Sequence, residues 1–337
     1  MEQTVLDSLK GIKTLSHQNL DLGSVPTGSY ALNKIISGSY VKGIPIGAIT
    51  QFHGEESTAK TVFVTHILRE AQELEYYTAL LDSENAYNEA FAVALGLDPE
   101  KLIYDNPETL EGCFTRMEEI IQAVREHDKD TPIVIGYDSI AVSPTEDELA
   151  IDPKKETIAD RYSTHNMEGA IRARITGSCL RKINTILKRE KVALVVVNQT
   201  RSKVGVMYGN PETKAAGGNS LKFYIGVDLR TSSSKTNDLI EDEFGNTIGI
   251  TGKIKNKKNK TAFPFQECEF SLAFNKGLDP YYGLFGQLAK EGICNSPSKG
   301  WRGITGTEVK FREAEFSNLL LTSELPEFQK LRTHIGI

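Results

Sequence analysis

Cysteine is scarce in this chain. Cys113, Cys179, Cys268 and Cys294 are scattered through 337 residues with no C-x-x-C spacing, which leaves no basis for a disulfide framework or a cysteine zinc site. No signal peptide is recognisable, so a reduced cytosolic setting is expected. No apolar run approaches membrane-spanning length, and a soluble protein without a membrane partner is expected. Internal repeats and low-complexity tracts are lacking too. Nor is there a basic excess: 39 Lys and Arg against 45 Asp and Glu give a net charge of −6. Any nucleic-acid site must therefore be a local basic patch within an acidic whole. With 39% hydrophobic and 25% charged residues, the chain has the composition of an ordinary globular protein.

From Thr27 onward, short apolar runs at 48–52, 78–81, 133–135 and 192–197 alternate with helical periods at 61–75, 109–126 and 168–190. That rhythm predicts an α/β fold with a mostly parallel sheet covered on both faces. After Gly218 strand follows strand, at 221–229, 248–254 and 263–274, expected as antiparallel additions to the sheet edge. Residues 2–15 place Val5, Leu9 and Ile12 on one helical face ahead of a polar tether. Such a helix either folds back on its own domain or docks on another subunit. The expected division is residues 1–26 as helix and linker, 27–276 as core, and 277–337 as a small C-terminal region. That region carries a helical stretch at 282–290, a Lys-Gly-Trp turn at 299–301 and a last helix near 324–334.

The run at 48–52 leads into Gly54-Glu55-Glu56-Ser57-Thr58-Ala59-Lys60-Thr61, or G-x-x-x-x-A-K-T where a phosphate loop has G-x-x-x-x-G-K-[ST]. Backbone N–H groups of 54–61 would cradle phosphates, Lys60 would neutralise β/γ oxygens, and Thr61 would hold Mg²⁺. Alanine keeps the required N–H and adds only a methyl, so the loop survives if position 59 sits at negative φ. Glu84 follows the next apolar run, Asp138 ends the one at 133–135 in a Walker B pattern that holds Mg²⁺, and Gln199 closes the one at 192–197. These are the strand ends where open α/β sheets bind ligands. Taken alone, Glu84 also reads as a helix cap and Phe91 as a core residue.

Residues 198–224 show neither helix nor strand period. Arg201, Lys203 and Lys214 suit phosphates, Val204, Met207 and Tyr208 offer apolar and stacking surface, and Gly217 and Gly218 let backbone approach a ligand. A single-strand-binding loop is one reading; a surface connector is the other. The stretch from Asn198-Gln199 through GVMYGNPET to GGNSLKFY, Asn219 included, closely resembles the second DNA-binding loop of bacterial RecA recombinases. The resemblance extends more thinly over roughly residues 20–290. The missing loop glycine and the tail motifs at 278–283 and 299–301 resemble the UvsX recombinases of tailed phages.

That resemblance implies a RecA-like P-loop ATPase using ATP and Mg²⁺, assembling as a helical homo-oligomer on single-stranded DNA and catalysing pairing and strand exchange with double-stranded DNA. Single-strand-binding and mediator proteins are further candidate partners, and the setting is the cytoplasm of a bacterium or phage-infected host. It implies that Glu84 orients the attacking water, that Asn88 and Phe91 meet the adenine, and that Lys258 and Lys260 reach the ATP of an adjacent subunit. Residues 143–165 with Met167 match the first DNA loop, which departs from RecA in sequence and length. Which of Arg172 and Arg174 matches the phosphate-binding arginine therefore stays open, and Arg181 is a further candidate. By themselves these arginines also suit a solvated helix face, and the lysines of 253–260 an edge strand protected against aggregation. Two rivals stand beside this reading. One is a structural filament protein that uses ATP as a switch with weak or no hydrolysis; the other is a hexameric motor, which the GVMYGNPET loop does not fit.

Overall fold

The computed structural model describes residues 21–150, 165–201, 214–215, 218–233 and 238–337. The expected N-terminal helix lies outside them. A short ribbon of β1 (Ser24–Val25) and β2 (Ile44–Pro45) brackets helix α1 (Tyr30–Ser37), which Ser29 caps through the Leu32 amide. Next come β3 (Ile49–Gly54), α2 (Lys60–Glu73), β4 (Tyr77–Asp82), α3 (Glu89–Ala94), β5 (Leu102–Asp105), α4 (Leu110–His127) and β6 (Ile133–Asp138). They are followed by α5 (Glu146–Leu149), α6 (His165–Arg189), β7 (Val192–Arg201), β8 (Lys214–Ala215), α7 (Gly218–Tyr224) and β9 (Ile225–Ser232). β10 (Leu239–Glu241), β11 (Thr247–Asn259), β12 (Glu267–Ala273) and β13 (Gly277–Leu278) complete the main sheet. The chain then forms α8 (Leu284–Lys290), a small antiparallel sheet of β14 (Cys294–Ser298), β15 (Trp301–Ile304) and β16 (Lys310–Phe311), and helices α9 (Phe316–Thr322) and α10 (Pro326–Ile335).

The main sheet runs β13-β12-β11-β9-β3-β7-β6-β4-β5. From β9 to β5 every neighbouring pair is parallel, and β11, β12 and β13 add antiparallel at one edge. β3 and β6 are buried along their whole length, as expected for apolar runs covered on both faces. One face packs on α1 and α2, where Phe52 and Phe63 stack at 5.4 Å and Phe63 meets Phe270 edge-on at 5.2 Å. The other packs on α4, α6 and α7 around Tyr137, Phe114 and Leu180. Gly136 lets α2 lie close on β6, since a Cβ there would come within 2.7 Å of Val64 Cγ1.

Four expectations change. The strand placed at 221–229 starts only at Ile225, because 218–224 form α7, which puts Leu221 into the core beside Ile225. β9 is parallel to β3, not antiparallel, and α7 belongs to the crossover that parallel pairing needs. The stretch without period also shrinks: β7 continues to Arg201, whose backbone pairs with Lys214. β11 is longer than expected for a different reason. Its lysines at 253, 255 and 257 alternate outward with buried Ile254 and Asn256, so the charge run conceals a period of two.

The C-terminal unit has its own aromatic core around Phe285, Phe311, Phe316 and Phe328. It sits on α1: Tyr30 and Tyr281 rings lie 5.3 Å apart, and Glu291 accepts from Tyr40 at 2.7 Å and pairs with Lys34.

Candidate nucleotide site and DNA-facing elements

Strand register builds the site. Gly54 pairs with Gln199 across β3 and β7, and Asp82 with Asp138 across β4 and β6, so the parallel strands end together. Beyond those ends lies an open cavity of about 440 Å³ lined by residues 56–62, Glu84, Asp138, Val197 and Gln199.

The loop at 54–61 is shaped by close contacts. A Cβ on Gly54 would fall 2.4 Å from Thr231 Oγ1, and that hydroxyl bonds Thr58 Oγ1 at 2.7 Å. Ala59 has φ +64° and Ser57 +61°, so the condition of negative φ at 59 is not met. The chain must reverse from β3 into α2 within a few residues, and the left-handed turn costs alanine about 1–2 kcal/mol that glycine avoids. Position 59 is also the N-cap of α2 and supplies no side-chain cap, whereas Ser29, Asn88 and Thr109 cap α1, α3 and α4. The first-turn N–H groups of α2 are therefore left for a ligand.

Lys60 is 8% exposed and its ammonium donates to the Glu55 carbonyl. Burial lowers its pKa, against the pull of Asp138, Glu84, Glu56 and Glu55. Thr61 Oγ1 donates to Asp138 Oδ2 at 2.6 Å. Burial raises the Asp138 pKa to about 6, with Glu84 and Asp82 adding to the rise and Thr61 and Lys60 opposing it. A buried cation bonded to a neutral carbonyl, uncapped amides and a hydroxyl–carboxylate pair together fit a phosphate chain with a hard divalent cation.

Glu84 Oε1 accepts from Gln199 Nε2 at 3.1 Å and from Ser139 Oγ at 2.7 Å. It does not cap the following helix; Asn88 does, accepting from the Phe91 amide at 2.9 Å. Asn88 at the N-cap of α3 and Phe91 on it lie outside the cavity lining, with Phe91 partly packed against the core. Two contributors had no local signal of their own, Thr231 behind the loop and Ser139 beside Glu84; only the adjacency of Ser139 to the Walker B aspartate marked it.

Lys258 and Lys260 are not brought to this cavity. Lys258 pairs with Asp228 and the Lys260 amide bonds the Gly226 carbonyl, while Gly54 lies beside Thr231. The lysines thus sit three to five residues back along β9, roughly 10–17 Å from the loop. Lys258 Nζ donates to the Lys222 carbonyl on α7, and Lys260 is exposed.

Of the DNA candidates, Arg172 is committed internally: it pairs with Glu148 at 2.9 Å and donates to the carbonyls of Ile140 and Ala141. Arg174 is exposed, and Arg181 donates to the Tyr224 hydroxyl at 3.2 Å. Met167 lies on α6, Arg201 on β7, and Gly218 and Asn219 on α7. Lys203, Val204, Met207, Tyr208 and Gly217 lie outside the described residues.

A family model of the RecA N-terminal domain matches residues 8–279. The chain is 36% identical over 280 residues to Protein RecA of Deinococcus radiodurans, covering 82% of this chain and 70% of that protein. Against Protein RecA of Thermus aquaticus it is 34% identical over 274 residues, 81% and 74% of the two chains, and against that of Herpetosiphon aurantiacus 33% over 267 residues, 79% and 68%.

Proposed function

The chain belongs to the RecA family, and from that premise we propose how its own residues divide the work. The protein is a DNA-dependent ATPase that uses ATP and Mg²⁺, forms helical filaments on single-stranded DNA, and catalyses homologous pairing and strand exchange with duplex DNA. Among the described residues no helix is long and apolar enough to cross a membrane.

One observation carries the assignment of residues: the register of four parallel strands gathers Lys60, Thr61, Glu84, Asp138 and Gln199 round one cavity. Residues 54–61 hold the phosphates through backbone amides, and Lys60 exchanges its carbonyl partner for β/γ oxygens. Thr61 and Asp138 would hold Mg²⁺, which offsets charge developing on the phosphate oxygens. Glu84 orients the attacking water through the carboxylate oxygen that Ser139 and Gln199 leave free. Gln199 sits on the strand leading into the DNA loop, so an amide that turns toward the γ-phosphate shifts the base of that loop. Asn88 and Phe91 flank the adenine from α3.

Lys258 and Lys260 lie too far back to serve their own cavity, and in a filament they meet a neighbour's, where they stabilise charge in the transition state. DNA is held by Arg174, Arg181, Arg201, Lys203, Gly218 and Asn219, with Val204, Met207 and Tyr208 against the bases and Met167 in the first loop. Arg172 buttresses that loop through Glu148. Residues 1–26 dock on the adjacent subunit, residues 27–276 form the core, and 277–337 form an appended region. A phage-infected host as the setting rests on the likeness of the phosphate loop to UvsX proteins. The test is ATP turnover with and without single-stranded DNA: Glu84→Gln should bind both ligands and turn over very slowly, and normal turnover would remove Glu84 from the reaction.

A further inference from the structure

The Glu84 carboxylate is exposed at the cavity, yet its Oε1 is held by two donors while Oε2 has no hydrogen-bond partner among the described residues. The two donors differ. Gln199 is half-buried and belongs to the strand that enters the DNA loop. Ser139 is fully buried and fixed on every side: its amide donates to Ser83 Oγ at 3.0 Å, its carbonyl accepts from the same hydroxyl at 3.0 Å, and the Ser83 amide donates to the Asp138 carbonyl at 2.9 Å. Ser83 directly precedes Glu84. The end of β4 and the end of β6 are thereby locked together beside the carboxylate.

We propose that Ser139 is a positioning residue for ATP hydrolysis, the permanent anchor of Glu84, whereas Gln199 is its releasable one. When Gln199 leaves for a phosphate oxygen, the Ser139 hydroxyl still occupies Oε1. Oε2 then keeps facing the cavity, where the water must be. Without Ser139, an exposed carboxylate whose second donor has departed rotates among its rotamers, and the reactive geometry becomes a minor population. This inference rests on the reading of Glu84 as the water-orienting group.

The test uses the full chain, single-stranded DNA and ATP. Ser139→Ala keeps the backbone bonds to Ser83 and loses only the hydroxyl. DNA-stimulated kcat should fall about 10- to 100-fold, the range for a hydrogen bond to a charged group, with KM for ATP and filament formation on DNA unchanged. Ser139→Thr, which restores a hydroxyl, should recover most of the loss. Unchanged kcat in Ser139→Ala, or a rise in KM equal to the fall in kcat, would overturn the proposal. A double-mutant cycle separates positioning from simple damage. In a Glu84→Gln background, Ser139→Ala should cost little more, whereas a full additional fall would mean that Ser139 acts on something other than Glu84. If Glu84→Gln itself turns over normally, the fault lies with the reading of Glu84.

Discussion

The two regions of one sheet to which the proposed function assigns the two halves of the reaction are built differently. At the C-terminal ends of the parallel strands, Lys60, Thr61, Asp138, Glu84, Ser139 and Gln199 are bonded to one another or to the loop before any ligand arrives. Back along β9 and β11, Lys258 donates to a backbone carbonyl and Lys260 is exposed. Under the proposed division of work, preorganisation falls where the phosphates would bind, and the cations that would finish the site lie waiting on a surface available to another subunit. On that proposal a single chain would hold nucleotide without consuming it, and assembly would become the condition for turnover.

The largest expected effect comes from removing the waiting half. Replacing Lys258 and Lys260 together by Gln should lower DNA-stimulated ATPase by about 10³-fold, as for loss of a trans-acting cation, while nucleotide affinity of the isolated subunit, followed by titration calorimetry, barely changes. β11 lies between β9 and β12, which overturns the reading of these lysines as edge-strand protection; if they serve only solubility, ATPase will persist and solubility alone will drop. Lys60→Ala attacks the other half and should reverse the pattern: nucleotide affinity itself falls by at least about 30-fold, the loss expected when a buried charge partner is truncated. Retained affinity in that variant would remove residues 54–61 from the phosphate site.

Much of the preorganised half was legible in the sequence, because its parts follow apolar runs: Gly54 and Asp138 end buried strands, and Gln199 comes just after the buried run of a strand that continues to Arg201. The waiting half was legible only by resemblance, since in the sequence an alternating lysine run also describes a protected edge, a reading that the two-sided pairing of β11 removes. What escaped reading lies in contacts between distant segments. Thr231 supports the loop 173 residues from Thr58, and Glu148 captures Arg172, which local pattern cannot distinguish from Arg174. The left-handed backbone at Ala59 escaped for another reason, for it follows from the geometry of the strand-to-helix turn and not from the residue in it.

A pH experiment probes the platform of the preorganised half. His66 on α2 is buried, accepts from the Leu278 amide at 3.0 Å, and has its pKa lowered to about 3 by burial and by Arg69. Its folded-state pKa lies below the unfolded value, so the unfolded chain gains the proton first. Stability should fall as pH drops from about 6.5 toward 3, by up to about 1.4 kcal/mol per unit. Denaturant midpoints of wild type and His66→Gln should converge in acid; parallel curves would contradict this. The smallest effect concerns the loop itself. Ala59→Gly should stabilise the chain by about 0.5–1 kcal/mol, relieved left-handed strain outweighing the added unfolded-state freedom, and a thermal melt showing destabilisation would mean that position 59 leaves positive φ in solution.

The central claim is that each working site takes its carboxylate from one subunit and its lysines from the next, and mixed filaments test it most directly. Glu84→Gln and the Lys258/Lys260→Gln double variant, each inactive alone, should regain a substantial part of wild-type ATPase when assembled together on single-stranded DNA, because some interfaces then join an intact Glu84 to intact lysines. No recovery in filaments shown to contain both proteins would contradict a site shared between subunits.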